Sequence, residues 1–372
     1  MYVKYVSAKN TNEYTRGTFF ADLAKLLNGT ITDPSQFSGT SCNRDASYIT
    51  GTPPTTGIYS ASPTSHTDNT SDNYYINIEK YHYAKGNPAT FLGRSKVRGD
   101  WDDSYYCRFR HQDKDSGNAN YTSSGYWGQY NNTSYTYTRM WRHFNEIEAI
   151  HMIINDTTFY MCWEGTGTTE AVKDHSFFLL QDIEYIQDID NYHYTSNNKS
   201  APMISAWGMC RDAMYSTGPN GTTQTNTDNH RFGMYRPQYP DRGGTYRNQY
   251  TSDSSQYSFG YKSTLQSNYC TWQPTPNENQ EKLTGANGDT HHLMVPLQYD
   301  GNMKSETGDP RRGTLMNIYR TTDDTFMDGD VLIDGTTRYR VLRMHKCGDE
   351  SFLSSPNVAF YAFPENNVPF AT

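Results

Sequence analysis

The clearest fold signal in this chain is Asp328-Gly-Asp-Val-Leu-Ile-Asp-Gly-Thr-Thr-Arg-Tyr-Arg-Val-Leu-Arg343. Two runs rich in valine, leucine and isoleucine flank the dipeptide Asp334-Gly335, which is typical of the tight turn between two antiparallel strands. We therefore predict a β-hairpin with strands over Val331–Ile333 and Arg338–Met344.

Three further segments near this hairpin carry the short aliphatic and aromatic runs that favour strands. They are His292–Tyr299, Thr314–Arg320 and Val358–Phe363. With the hairpin, they predict five antiparallel strands arranged as a β-sandwich or open barrel over residues 285–365. We accordingly place a C-terminal domain at residues 285–372.

Composition extends the β prediction to the rest of the chain. The 372 residues include 32 tyrosines but only 14 leucines, and no leucine lies between Leu92 and Leu179 or between Leu180 and Leu265. Helical domains depend on leucine at helical spacing, whereas aromatic residues suit pleated sheets. The predicted fold class is mainly β, with antiparallel sheets, long polar loops and one short amphipathic helix near the N-terminus.

That helix is predicted over Asn12–Leu27, followed by Gly29 as a left-handed stop. Its apolar residues recur at steps of three and four, at Phe19, Phe20, Leu23, Leu26 and Leu27. A short strand over Tyr2–Val6 precedes it, and a segment rich in Ser, Thr, Pro, Asn and Gly follows it. We place an N-terminal helix and extended arm at residues 1–72.

Residues 73–284 are predicted to form a central tyrosine-rich β region with loop insertions. A strand over Tyr74–Tyr83 puts Ile76, Ile78 and Lys80 on one face, and a hairpin over Ile147–Trp163 turns at Asn155-Asp-Thr157. The pattern of Phe177–Ile189 fits either a helix or a buried strand. The pattern of residues 99–138 and 215–262 assigns no fold.

Charge and hydropathy narrow the classes of partner. The net charge is −8 and no basic run exceeds two residues, so no direct nucleic-acid role is expected. No run of 18 apolar residues predicts a membrane span, and the N-terminal residues lack the pattern of a signal peptide. The six cysteines are widely spaced and are expected to be reduced and buried, with no disulfide framework.

Several polar clusters carry residue types that suggest sites of chemistry. Asp289 and His291 suggest a metal, but a closed site needs further ligands. Paired carboxylates beside tryptophan suggest a glycoside hydrolase; these are Asp100, Asp102 and Asp103 around Trp101, and Glu146 and Glu148 near Trp141. A further acidic group suggests a calcium site but lacks the spacing of an EF-hand loop; it consists of Asp182, Glu184, Asp188 and Asp190. We predict no catalytic residues, no metal ligands and no cofactor.

Aromatic residues instead favour contact surfaces, because Tyr and Trp bury large areas at low entropic cost. Two uses are open: burial against neighbouring subunits, or stacking on glycans at a receptor-binding surface. The residues proposed for an interaction surface are Phe19, Phe20, Leu23, Leu27, Trp101 and Trp127. The helix of residues 12–27 has packing against its own sheet as the alternative.

The C-terminal residues also resemble a known group of proteins. Gly313-Thr-Leu-Met-Asn-Ile-Tyr319, followed by the segment from Asp328 to Arg343, looks like a closing unit of tailed-bacteriophage virion proteins of the connector, tail or baseplate type. The resemblance covers about 70 residues, and its motif is one of hairpin chemistry.

This resemblance implies a non-enzymatic structural subunit of the tail, baseplate or neck. Its partners would be other virion structural proteins and copies of itself, and it would join the virion in the bacterial cytoplasm. The alternatives are a glycan- or host-receptor-binding virion module and a β-rich carbohydrate-active enzyme.

Overall fold

The fold is taken from a computed structural model and confirms the predicted class at its coarse level. The structure describes residues 1–8, 14–39, 42–65, 74–84, 87–101, 107–111, 147–165, 175–185, 203–209, 231–235, 249–250, 270–274, 283–284, 290–291, 294–301, 311–321, 326–346 and 358–367. Within these ranges the chain is mainly β, with antiparallel sheets and one α-helix.

The first half of the chain contains the helix and nine strands in its described part. These are β1 (Tyr2–Val6), α1 (Tyr14–Leu27), β2 (Tyr48–Thr50), β3 (Tyr59–Ser65), β4 (Tyr74–Ala84), β5 (Asn87–Trp101), β6 (Cys107–His111), β7 (Ile147–Ile154), β8 (Thr158–Gly165) and β9 (His175–Tyr185). A single 3-10 turn spans Pro34–Gln36.

The second half of the chain contributes the remaining described strands. These are β10 (Met203–Met209), β11 (Arg231–Tyr235), β12 (Gln249–Tyr250), β13 (Cys270–Pro274), β14 (Leu283–Thr284), β15 (Thr290–His291), β16 (Met294–Gly301), β17 (Arg311–Thr321), β18 (Val331–Asp334), β19 (Thr337–Lys346) and β20 (Val358–Pro364).

Most of these strands belong to one large sheet. Its main path runs β18-β19-β20-β17-β9-β8-β7-β1-β2, with β10 to β12 branching from β9, and β16 and β13 branching from β17. A separate four-stranded sheet has the order β3-β4-β5-β6, and β14 pairs with β15. Strands from all three predicted regions therefore enter the large sheet, while the domain boundaries themselves stay a prediction.

The C-terminal hairpin is confirmed. β18 and β19 pair with Asp334 opposite Thr337, and Gly335 takes a left-handed conformation with φ of 57°. Glycine adopts that backbone region without steric cost, which is why Asp-Gly marks such turns. The three other predicted C-terminal strands correspond to β16, β17 and β20.

The N-terminal helix and its stop are also confirmed. α1 ends at Leu27, and Gly29 has φ of 70°. The N–H of Thr30 donates to the carbonyl of Lys25 at 2.8 Å, and the N–H of Gly29 donates to the carbonyl of Leu26 at 3.0 Å. This pair of bonds is the Schellman motif, which satisfies carbonyls that the last helical turn leaves open.

Replacing Gly29 by alanine should lower the free energy of unfolding by about 1–2 kcal/mol, because a side chain disfavours the left-handed conformation. A Cβ at this position would also lie 3.3 Å from the carbonyl oxygen of Pro54. Chemical denaturation measures the loss. Gly29→Asn is the matched control and should cost less, since asparagine tolerates this conformation. Equal losses for the two variants would contradict the backbone explanation.

The core lies where α1, the four-stranded sheet and the large sheet meet. α1 packs against β3 and β4, and its apolar residues join the same buried cluster as Tyr5 of β1 and Trp163 of β8. On β4, Ile76, Ile78 and Lys80 are all buried, which confirms their shared face.

The predictions for the central region, residues 73–284, can be compared with the structure at the residues that it describes. β7 and β8 form the predicted hairpin around residues 155–157, with Ile154 opposite Phe159. Residues 177–185 of the segment whose pattern fitted either a helix or a strand lie in the strand β9, which pairs with β8 and β10, and residues 186–189 lie outside the described residues. In the two unassigned regions, the described parts are strands within 99–111 and 231–250, and the remainder lies outside the described residues.

Candidate functional site

Glu365 follows β20, and its carboxylate is the centre of a buried ionic cluster. The side chain is 2% exposed. Its Oε2 lies 3.0 Å from Nε of Arg338 and accepts a hydrogen bond from Thr50 Oγ1 at 3.2 Å, while Oε1 pairs with Arg340. We name Tyr2, Thr50, Arg338, Arg340 and Glu365 the closing cluster, because they join β1 and β2 to β19 and the end of β20.

Arg340 is the most enclosed cation of the closing cluster. Its guanidinium carbon lies 4.1 Å from the centre of the Tyr2 ring and 6.0 Å from that of Tyr48. The guanidinium also donates hydrogen bonds to the carbonyl of Gly329, which lies just before β18, and to Thr50 Oγ1. A planar cation over an aromatic face is stabilised by the ring quadrupole. The Tyr2 ring and the Glu365 carboxylate therefore both stabilise the guanidinium of Arg340.

The phenol of Tyr2 connects this cluster to β7. Its hydroxyl lies 2.7 Å from Nδ1 of His151 and 3.4 Å from the hydroxyl of Tyr48. Burial raises the pKa of Tyr2, and the hydrogen bond with Tyr48 adds to this, while the charge of Arg340 opposes it. The phenol is therefore neutral over the physiological range.

Backbone contacts bring the same segments together. Gly51 has φ of 82°, and a Cβ there would lie 2.5 Å from the carbonyl oxygen of Glu365. That carbonyl accepts a hydrogen bond from the amine of Met1. The N–H of Asn367 donates to Thr52 Oγ1 at 3.2 Å. Only glycine permits this approach at position 51, so the close contact depends on it.

The β7–β8 turn is held by a buried asparagine. Oδ1 of Asn155 accepts hydrogen bonds from the N–H groups of Thr157 and Thr158 at 3.1 and 2.9 Å. Its amide nitrogen donates to the carbonyl of Pro364 at 3.2 Å. The predicted turn residue thus also ties the hairpin to the end of β20.

A second buried charge group connects the two larger sheets. Nζ of Lys80 on β4 lies 2.9 Å from Oδ1 of Asp182 on β9 and donates to the backbone carbonyl of Asp156 at 2.8 Å. It lies 5.4 Å from the centre of the Tyr59 ring. The carboxylate of Asp156 accepts two hydrogen bonds from Thr55. We name Tyr59, Lys80, Asp156 and Asp182 the lysine pocket.

The chemistry of both groups is that of structural ties. Buried charges are costly unless an opposite charge and hydrogen bonds compensate them. Here the chain supplies the compensation itself, from segments that are far apart in sequence, such as Thr50 and Glu365, which are separated by 315 residues. Among the described residues, no group of three or more metal-ligating side chains is present, and no helix is long and apolar enough to cross a membrane.

The residues predicted for an interaction surface fall in different places. Four of them, Phe19, Phe20, Leu23 and Leu27, are buried in the core, so they pack inside the chain, as the alternative for this helix proposed. Trp101 ends β5 and pairs with Cys107 of β6. Trp127 lies outside the described residues.

The other predicted clusters are only partly described. His291 belongs to β15, but Asp289 lies outside the described residues. Asp182, weighed for calcium, contacts Lys80 instead. Cys42 and Cys162 are buried thiols that take part in no disulfide, as predicted for them. Burial raises the pKa of Cys42 to about 11, which keeps it a thiol at neutral pH.

Sequence reasoning missed the closing cluster. One local signal was available: Arg338 and Arg340 alternate on β19 and therefore share a face. The acidic partner, Glu365, follows a different strand, and no spacing in the sequence connects it to Thr50 or Tyr2.

No protein-family model matches the chain, and no curated protein is significantly similar to it.

Proposed function

We propose that this protein is a non-enzymatic structural subunit of a tailed-phage virion, in the tail, baseplate or neck. It acts through interfaces with other virion proteins and with copies of itself. The observation that carries the proposal is the β18–β19 hairpin. It contains the residues that resemble the phage closing unit, and it also supplies Arg338 and Arg340 to the closing cluster.

The closing cluster supports a mechanical role. A subunit that bears load in a particle needs its distant segments held together, and this cluster joins Thr50 of β2 to Arg338 and Arg340 of β19 around the carboxylate of Glu365. The lysine pocket does the same between the two larger sheets. Chemistry of this kind fixes shape, and the charges it uses are engaged within the chain.

The surface of the hairpin supports contact with other subunits. Ile333 on β18 and Met327 just before it are each 71% exposed. β18 is also the terminal strand of the described main path, and a terminal strand offers backbone groups for pairing. We propose that copies of the chain cover these side chains in the particle.

The finer fold belongs to the same proposal. We propose that the C-terminal strands close into a sandwich or open barrel. The rings of Tyr160 on β8 and Phe363 on β20 stack with centroids 4.6 Å apart, although these strands are not neighbours in the sheet. Side chains from separated strands that pack face to face support such closure.

In this proposal the subunit is made in the bacterial cytoplasm and carried in the virion, without a direct nucleic-acid or membrane role. The acidic net charge of −8 supports the first exclusion.

Oligomeric mass tests the proposal. We expect the purified chain to associate with itself as its concentration rises, in light scattering or mass photometry. The double variant Met327→Gln/Ile333→Glu should weaken this association. Thr336→Glu, a charge added at an exposed turn position of the same hairpin, is the matched control and should leave it unchanged. A chain that stays monomeric, melts in one sharp transition and is fully ordered alone would overturn the proposal.

A further inference from the structure

Lys80 is an unusual lysine because its whole side chain is buried. It projects from β4 on the face that also carries Ile76 and Ile78, and its side chain is 0% exposed. Its Nζ lies 2.9 Å from Oδ1 of Asp182, whose side chain is 3% exposed. Lysines normally keep their ammonium group in water, so this placement calls for a chemical reason.

The neighbours of this contact hold both reacting groups in place. The N–H of Asp182 donates to the carbonyl of Thr157 at 2.9 Å, and its own carbonyl accepts a hydrogen bond from Gln181 at 3.0 Å. Nζ of Lys80 is oriented by the carbonyl of Asp156 at 2.8 Å. Amine and carboxyl groups fixed at contact distance react with very high effective concentrations.

The surroundings of the Lys80–Asp182 contact are also closed to solvent. Amide formation releases water, and a site closed to solvent disfavours hydrolysis, which is the reverse reaction. Tyr59 lies over Nζ, is 4% exposed, and is itself fixed by a hydrogen bond from its hydroxyl to the carbonyl of Asn155 at 2.8 Å. In such an interior the two groups are removed from water and lie at contact distance from each other, with the carbonyl of Asp156 as a further partner of Nζ.

We infer that Lys80 and Asp182 condense into an intramolecular isopeptide bond after folding. A proton passes from the ammonium to the carboxylate across the contact. The Nζ lone pair then attacks Cγ of Asp182 and forms the carbon–nitrogen bond. One carboxyl oxygen leaves as water with protons from the nitrogen and the acid, so an ammonium and a carboxylate become one amide plus water. No oxidant or cofactor takes part.

The bond would link the four-stranded sheet covalently to the large sheet, through the side chains of β4 and β9. A load that pulls these sheets apart would then act on a covalent bond. The inference rests on the lysine pocket and does not depend on the proposed virion function.

Intact mass spectrometry of the folded, then denatured, protein tests the inference. We expect a mass lower than the sequence mass by one water, and a protease digest containing one branched peptide with both Lys80 and Asp182. A folded protein of full sequence mass would overturn the inference, because the contact would then be an ion pair only.

Two variants locate the loss of water. Lys80→Met and Asp182→Ala should each restore the full mass calculated for the variant, and this readout does not require the variant to fold. Dehydration elsewhere, for example succinimide formation at Asp334-Gly335, would persist in Lys80→Met. A persistent loss of water in that variant therefore also counts against the isopeptide bond.

Discussion

Replacement of Glu365 by glutamine is expected to lower the free energy of unfolding by about 3–5 kcal/mol. The amide keeps the shape of the side chain but removes the charge that compensates Arg340, whose own side chain is only 6% exposed. The loss comes from leaving a buried cation without its counter-charge, which costs more than the ion pair contributes. Urea denaturation followed by tyrosine or tryptophan fluorescence measures it.

Two comparisons separate burial from simple ion pairing. Arg338 contacts the same carboxylate, but its side chain is 48% exposed. Arg338→Gln should therefore cost about 0–1 kcal/mol, as exposed pairs do. The double variant Glu365→Gln/Arg340→Met should recover part of the loss, since it removes the uncompensated cation. A small loss for Glu365→Gln alone would mean that Arg340 reaches solvent when its partner is neutralised.

The parts of the fold that the sequence predicts well are those with local causes. The β18–β19 hairpin follows from Asp334-Gly335, and the end of α1 follows from Gly29, because each turn needs a left-handed glycine within the segment itself. The alternation on β4 likewise places Lys80 with Ile76 and Ile78, since the side-chain period of a strand is fixed.

The candidate site is different because its partners are distant in sequence. Nothing near Lys80 points to Asp182, and nothing near Glu365 points to Thr50; both contacts exist only after the sheets have packed. The four residues of α1 that were predicted to lie on an interaction surface show a second limit of the sequence. An apolar helix face predicts burial, but the sequence does not state whether the chain itself or a partner covers it.

Alkaline pH is expected to unfold this protein steeply, through its buried tyrosines. Burial raises the pKa of Tyr2, Tyr59 and Tyr160 above the ordinary value of 10.0. In the unfolded chain these phenols ionise above that value, while in the folded chain they keep their protons. Their stabilising effect is therefore complete below pH 10.0 and is lost as the pH rises.

The magnitude of this effect is large for a marginally stable fold. Above pH 10.0, each buried phenol that ionises only on unfolding lowers the free energy of unfolding by about 1.4 kcal/mol per pH unit. Three such phenols together lower it by about 4 kcal/mol per pH unit. A typical unfolding free energy of about 5–15 kcal/mol is then exhausted within a few pH units. As the pH is raised, we expect tyrosinate absorbance to increase and the circular dichroism signal of the β-sheet to decrease in the same transition.

A single substitution isolates the contribution of one tyrosine. Tyr160→Phe should reduce the slope of unfolding free energy against pH, above pH 10.0, by about 1.4 kcal/mol per pH unit relative to the unsubstituted protein. Other tyrosines and Cys42 contribute equally to both proteins and cancel in the difference. An unchanged slope would mean that the Tyr160 phenol ionises without unfolding. Hydroxide would then reach the Tyr160 hydroxyl in the folded state, even though the Tyr160 ring stacks on Phe363 of β20.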